Sequence, residues 1–221
     1  MSIPSARAPR RTDALSRDRI IQAAIELLDD EADNPLTVRA LTAHLATGRG
    51  AIYHHVSTMD ELVAAAADDI ISHATTTRPD GQDPEEGIRL LALGIFDAID
   101  AHPWVGAQLA REPMQPAVLR IWKGVGLLLR QLGVTGPGVS DAGSALVSYV
   151  LGSAAQFAAG ARRAGSEEDR LTALEALAAQ WSEIDPDPIV REASSVMLEH
   201  DDRQQFLAGV DIFLVGITAA L

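Results

Sequence analysis

With 221 residues, a formal charge of −13, 47% apolar residues and only 4% aromatics, the chain is long enough for one large domain or two unequal ones. Its core must be built mainly from Ala, Leu, Val and Ile, a mixture that favours helices over sheets. The absence of cysteine excludes disulfide staples, thiolate metal sites and cysteine nucleophiles. The net acidity argues against a surface coated in basic patches, but the acid is unevenly placed: no Asp or Glu occurs from Leu36 to Thr58, a stretch that holds Arg39, Arg49, His44, His54 and His55.

In chain order, residues 1–15 combine Ser, Pro and Arg without periodicity and read as a basic flexible arm. Arg7, Arg10 and Arg11 are followed by polar residues, so the apolar core of a secretory leader is not seen there. Ser16 is placed to cap a first helix in which Ile20, Ala23, Ala24, Leu27 and Leu28 recur at helical spacing until Asn34-Pro35. A short second helix follows Thr37, with Val38, Leu41 and Leu45 as its apolar stripe. Ala46-Thr47-Gly48 reads as a turn, and Arg49 to about Val56 as a third short helix with Ile52 and Val56 inward. Thr58-Met59-Asp60-Glu61 has the spacing of a capping box opening a fourth helix. Pro79-Asp80-Gly81 then breaks the chain.

Beyond the break, amphipathic helices are predicted over Pro84–Ala101, Trp104–Arg111 and Pro116–Leu132, with a loop at Gly133–Gly138. A long helix over Ser140–Arg163, two more near 167–184 and 187–198, and a C-terminal helix complete the chain. The apolar run from Phe206 to Leu221 is short for a membrane span, carries Asp211 in its middle, and reads as a helix buried on several sides. The expected fold is therefore all-α.

Two short helices joined by a tight turn and braced by helices on both sides have the form of a helix-turn-helix. The second of them must be polar outward to enter a major groove. Arg49, Gly50 and His54 meet that need, being at the helix start or opposite Ile52 and Val56, and arginine can read a guanine edge with two hydrogen bonds. Gly48 and Gly50 would allow close approach of the backbone. Tyr53 and His55 are placed toward the flanking phosphates.

The segments Leu36-Thr37-Val38-Arg39-Ala40-Leu41, Gly50-Ala51-Ile52-Tyr53-His54-His55-Val56 and Asp60-Glu61-Leu62 resemble the N-terminal domain of the TetR family of repressors. His102-Pro103-Trp104 looks like an element of the tetracycline-repressor-like subset. The resemblance implies a three-helix helix-turn-helix domain (16–62) followed by a larger helical domain (63–221) for effector binding and dimerisation. It implies that Thr37, Tyr53 and His55 touch phosphates while Arg49, Gly50 and His54 lie against bases. Arg39, Thr47, Gly48 and Thr58 complete the expected DNA-binding set. Two positions depart from the family pattern: Ala46 stands where the turn usually holds Gly, a change expected to matter little, and Met59 stands where the fourth helix usually begins with a phosphate-binding Lys.

The implied partners are a palindromic double-stranded operator, a second copy of the chain and a small, largely apolar effector. For the homodimer, Phe206, Val210, Phe213 and Ile217 form an apolar stripe, and Gly152, Ala155 and Ala159 supply small residues for close contact with a partner. His73, His102, Trp104, Trp122, Tyr149 and Gln156 are the candidate effector contacts. No nucleophile motif, metal set or phosphate loop is found, so neither catalysis nor a cofactor is expected, and the plain expectation is a soluble cytoplasmic regulator. The competing reading is a helical small-molecule-binding or interaction protein with weakened DNA binding.

Overall fold

The computed structural model describes residues 15–30, 35–76, 83–112, 114–164, 166–196 and 201–221. The expected arm, the Asn34 stop and the Pro79–Gly81 break fall outside these residues, apart from Leu15. Among the described residues there are eleven helices and no strand. The chain forms two compact units, Met1–Ala66 and Ala67–Leu221.

The first unit contains α1 (Arg17–Asp30), α2 (Val38–His44), α3 (Arg49–Tyr53) and the opening turns of α4 (Met59–Thr76). Ser16 starts α1, its hydroxyl accepting the Arg19 amide at 3.2 Å. The inward positions of α1 are Ile20, Ala23, Ala24 and Leu28. Together with Leu41, Ile52, Val56 and Leu62, all buried, they form a small aliphatic core. The third helix stops at Tyr53, short of Val56, because the chain must straighten to reach the Thr58 cap of α4.

The second unit is built from the rest of α4 with α5 (Pro84–Ala101), α6 (Pro103–Arg111), α7 (Pro116–Leu132), α8 (Pro137–Ala164), α9 (Glu167–Ile184), α10 (Pro188–Val196) and α11 (Asp202–Ala219). Four of these helices begin on a proline after a break, where its missing N–H costs nothing and its fixed φ suits the first turn. The fifth, α8, begins at Pro137 for the same reason, three residues before the expected Ser140. Aliphatic stripes of α5 (Ile88, Leu91, Ile95, Ile99) and α7 (Ile121, Val125, Leu128, Leu129) are buried. They pack with Leu146, Val147 and Val150 of α8.

The long α8 is the organising element, packed against α5, α6, α7, α9 and α11. It is also the one helix among the described residues long and apolar enough to cross a membrane by length and composition. Of that stretch, 33% is buried against its neighbours, which account for part of its apolarity. The C-terminal α11 corrects an expectation. Rather than being buried on several sides, it buries only the stripe Phe206, Val210 and Leu214, leaving Ile212 and Val215 open.

Close contacts within this unit rely on glycine. A Cβ on Gly94 of α5 would stand 2.6 Å from the carbonyl oxygen of Ala74 on α4, and a backbone carbonyl cannot rotate aside as a side chain can. Gly94→Ala should therefore destabilise the protein by about 1–3 kcal/mol, despite alanine's better helix propensity. The check is the urea midpoint at constant m-value; an unchanged midpoint would show that α4 and α5 separate here at little cost.

Candidate nucleic-acid interface

The helix-turn-helix is framed by side-chain caps on α2 and on α4, whereas α3 begins at Gly48 without one. Thr37 caps α2, its hydroxyl oxygen accepting the Ala40 amide at 3.1 Å. At α4 the capping box is present in slightly shifted form: Thr58 Oγ accepts the Glu61 amide at 3.0 Å, while the Glu61 carboxylate accepts the amide of Ser57 at 2.9 Å. That amide is the main cause holding the Glu61 carboxyl below its ordinary value. Both hydroxyls accept through oxygen, so each keeps its proton to donate outward.

The turn between α2 and α3 is a Schellman motif. The Thr47 amide donates to the Thr42 carbonyl at 3.1 Å and the Ala46 amide to the Ala43 carbonyl at 3.3 Å. This geometry places Ala46 at φ 48, the one non-glycine at positive φ among the described residues. The end of α7 repeats the pattern with glycine in the same role: Gly133 at φ 104, the Val134 amide on the Leu129 carbonyl and the Gly133 amide on the Arg130 carbonyl. The expectation that Ala46 matters little is thus corrected. An L-residue in the left-handed region crowds its Cβ against the backbone, and the recognition turn carries that strain.

Arg39, Gly48, Arg49, Gly50, Tyr53, His54 and Thr58 are all exposed, with Thr37; Thr47 and His55 are half-buried. Tyr53, at 46% exposure, stands out as a large aromatic left in solvent. Gly48 and Gly50 have negative φ and nothing within 4 Å of where a Cβ would be. The protein's own packing therefore gives no reason for glycine at either place. Arg49, Gly50 and Tyr53 share α3 with Ile52, which is fully buried and fixes the orientation of the helix. His44 faces an acid: its Nε2 lies 2.8 Å from the Glu26 carboxylate of α1.

The expected effector contacts are distributed over α4, α6, α7, α8 and the junction of α5 and α6. His73 is exposed, its Nδ1 2.8 Å from the Asp69 carbonyl of its own helix. His102 sits between α5 and α6, and Trp104 is buried at the start of α6. Trp122 packs over Gly143, where a Cβ would meet the ring at 2.8 Å. Tyr149 donates to the Phe206 carbonyl at 3.0 Å and stacks on the Phe206 ring, and Gln156 faces solvent. A separate void of only about 10 Å³ lies between α5, α7 and α8, lined by nine aliphatic residues that include Ile95, Ile121 and Val147. None of the six candidates lines it. These aliphatics escaped the sequence reading because nothing distinguishes them from any other core positions.

The expected dimer stripe is divided in the same way. Phe206 and Val210 are fully buried in the protomer's own core, and Ala155 faces Gly106 of α6, so these three are already occupied within the chain. Gly152 is exposed with open space around it, while Ala159, Phe213 and Ile217 are half-buried. Phe213 and Ile217 line an open groove of about 540 Å³ with Ala145, Ile212, Gly216 and Leu221. Ile212, which sequence reasoning passed over, is 73% exposed, and Val215, which widens the apolar side of the same helix, is 68% exposed.

The fold and this site together define a helical protein with an N-terminal helix-turn-helix unit. Residues 20–66 match the model of bacterial regulatory proteins of the tetR family. The transcriptional regulator SCO7222, a TetR from Streptomyces coelicolor, shares 40% identity, with 93% of this chain and 99% of that one aligned at a TM-score of 0.83. The chain belongs to the TetR family of bacterial regulatory proteins. The HTH-type transcriptional repressor DrrR1 of Streptomyces coeruleorubidus is 26% identical over 156 residues, 67% of this chain and 55% of that protein. The chain spans little more than half the length of the curated relatives it matches. The fold is also that of Streptomyces coelicolor ActR in complex with actinorhodin, at 21% identity and a TM-score of 0.79 over 95% of this chain and 98% of that one.

Ala46→Gly relieves the strained turn and is expected to stabilise the protein by roughly 0.5–1 kcal/mol, the steric gain exceeding glycine's larger entropy loss. Thermal unfolding measures it, and a lowered midpoint would mean that Ala46 is held in place by contacts worth more than its strain.

Proposed function

We propose that the protein is a transcriptional repressor that binds a palindromic DNA operator as a homodimer and leaves it when a small, largely apolar effector occupies the C-terminal unit. The observation that carries this reading is α3: one buried residue, Ile52, anchors it, and Arg49, Gly50, Tyr53 and the following His54 are left outward on a stretch without a single acid. Arg49 reads a base edge. Gly48 and Gly50 leave room for the bases and sugars, which explains glycine where the chain itself does not need it. Thr37, Thr58 and Tyr53 offer hydroxyl donors to phosphates, and Arg39 adds charge. At Met59, where a lysine would be usual, Thr58 supplies the local contact.

Two recognition helices must be related by a two-fold axis to read a palindrome. The exposed sides of α8 and α11 fit that purpose: small Ala145, Ser148 and Gly152 on α8, and larger Ile212 and Val215 on α11. Small surfaces facing large ones allow two copies to interlock as a four-helix bundle. Gly152 is kept from the sequence-based interface, and Ile212 and Val215 replace Phe206 and Val210.

For the effector, the aliphatic void between α5, α7 and α8 is the site proposed, in place of the six scattered candidates. Ligand pockets run to about 300–1,000 Å³, so occupying a void of about 10 Å³ means moving these helices apart. A ligand that binds only the opened arrangement shifts the population toward it, which is how binding in this unit could oppose DNA binding. A cytoplasmic location goes with this function.

Fluorescence anisotropy on fragments of the upstream intergenic DNA across a salt series tests the reading. Affinity should fall steeply with salt, as phosphate neutralisation requires, with two protomers per palindrome. Salt-insensitive binding, or none on genomic fragments, would reject it. Arg49→Ala should cost about 1–3 kcal/mol at one base pair and flatten the preference there; unchanged sequence preference would remove Arg49 from base reading. Ile212→Arg combined with Val215→Arg should give folded monomers in sedimentation with specific DNA affinity lost, whereas an intact dimer would place the interface elsewhere.

A further inference from the structure

Within the acid-free stretch only Arg39 and Arg49 carry fixed positive charge; the rest of its cationic capacity is histidine. The structure separates the three histidines. His44 on α2 lies against Glu26, so a proton gained there is balanced inside the unit. His54 and His55, just past α3, form no ion pair among the described residues, and their rings meet edge to face with centroids 5.3 Å apart. The charged and titratable groups on the elements around them include Arg49 and Tyr53 on α3, Arg39 and His44 on α2, Asp60 and Glu61 at the start of α4, and Arg17 of α1, whose charge acts on Glu61. The Glu61 carboxylate is turned onto the Ser57 amide, and neither acid forms a salt bridge with His54 or His55.

We infer that His54 and His55 form a proton-dependent half of the DNA-binding face, so that the protein binds duplex DNA more tightly as the pH falls from about 8 to about 6. This rests on the DNA-binding reading above. Histidine side chains as a class titrate in this range. A phosphate backbone laid against the face supplies the missing counter-charge and favours the doubly protonated pair. By linkage, a bound state that holds more protons is favoured as pH falls. Each imidazolium that neutralises a phosphate also releases condensed cations, so the salt dependence must steepen with the affinity. His44 provides the internal control, because its charge is already met by Glu26.

The test measures anisotropy of the full chain on a mixed-sequence duplex of about thirty base pairs, at about pH 8 and pH 6, over about 50–300 mM salt. A mixed sequence needs no knowledge of the operator, and circular dichroism at both pH values confirms that the variants are folded. The expected result is an affinity about tenfold or more higher at the lower pH, with the log–log salt slope steeper by about 1 to 2 per protomer. The double substitution His54→Gln/His55→Gln should remove most of this pH dependence, and His44→Gln should leave it intact. Salt-sensitive binding that is flat in pH would overturn the inference while leaving the DNA-binding reading standing. So would pH dependence that survives in the double variant or disappears in His44→Gln. Absence of DNA binding at both pH values would overturn both.

Discussion

A recognition helix of five residues, Arg49–Tyr53, cannot hold its shape alone, since helices this short do not recover the cost of nucleation in water. Its existence depends on the burial of Ile52 among Leu41, Val56, Leu62 and the inward face of α1. Burying one such aliphatic side chain is worth about 1.5–3 kcal/mol, and in a unit this small a few of them supply most of what stability there is. The same burial orients the outward face. With Ile52 inward, Arg49, Gly50 and Tyr53 have no choice but solvent or DNA. Fold and function in this unit are therefore one constraint, and the strain accepted at Ala46 shows how tightly the turn between the two helices is specified.

The second unit is held differently. Its interhelical ion pairs include Arg89 with Asp211, Arg120 with Asp68 and Arg203 with Asp97, which are partly to largely exposed, and Arg170 with Asp202, which is less so; exposed pairs add little to stability. Cohesion comes from aliphatic packing around α8 and from glycines that let helices approach, as at Gly94, Gly106 and Gly143. Several small residues of α8 serve this internal packing, and the ones left outside, such as Gly152, belong to a different surface. A composition of small and aliphatic residues with few rings makes an interior whose helices can slide with modest rearrangement of side chains. That suits the proposed opening of the aliphatic void.

Charge placement links the two units to a single economy of surface. The chain as a whole carries −13, which discourages indiscriminate attachment to polyanions. One short stretch is kept free of acid, and there the fixed charge is only Arg39 and Arg49. On the proposed reading, modest permanent charge supplemented by histidines makes affinity depend on base contacts and on conditions more than on bulk attraction.

Local signals in the sequence located the elements well. Ser16, Thr37, Thr58, Pro84 and Pro116 are caps or first-turn residues whose chemistry acts within a few positions, and the helices begin beside them. The outward face of α3 was legible for the same reason, since the periodicity that turns Ile52 inward turns Arg49 and His54 outward. Tertiary structure alone decided what depends on distant neighbours. It showed that Phe206 and Val210 belong to the protomer's own core while Ile212 and Val215 stay open, that His44 meets Glu26 whereas His54 meets the His55 ring and forms no ion pair among the described residues, and that none of the candidates for effector contact lines the aliphatic void between α5, α7 and α8. A helical repeat reveals that a face is apolar; only the packing of other helices against it determines whether that face is already covered.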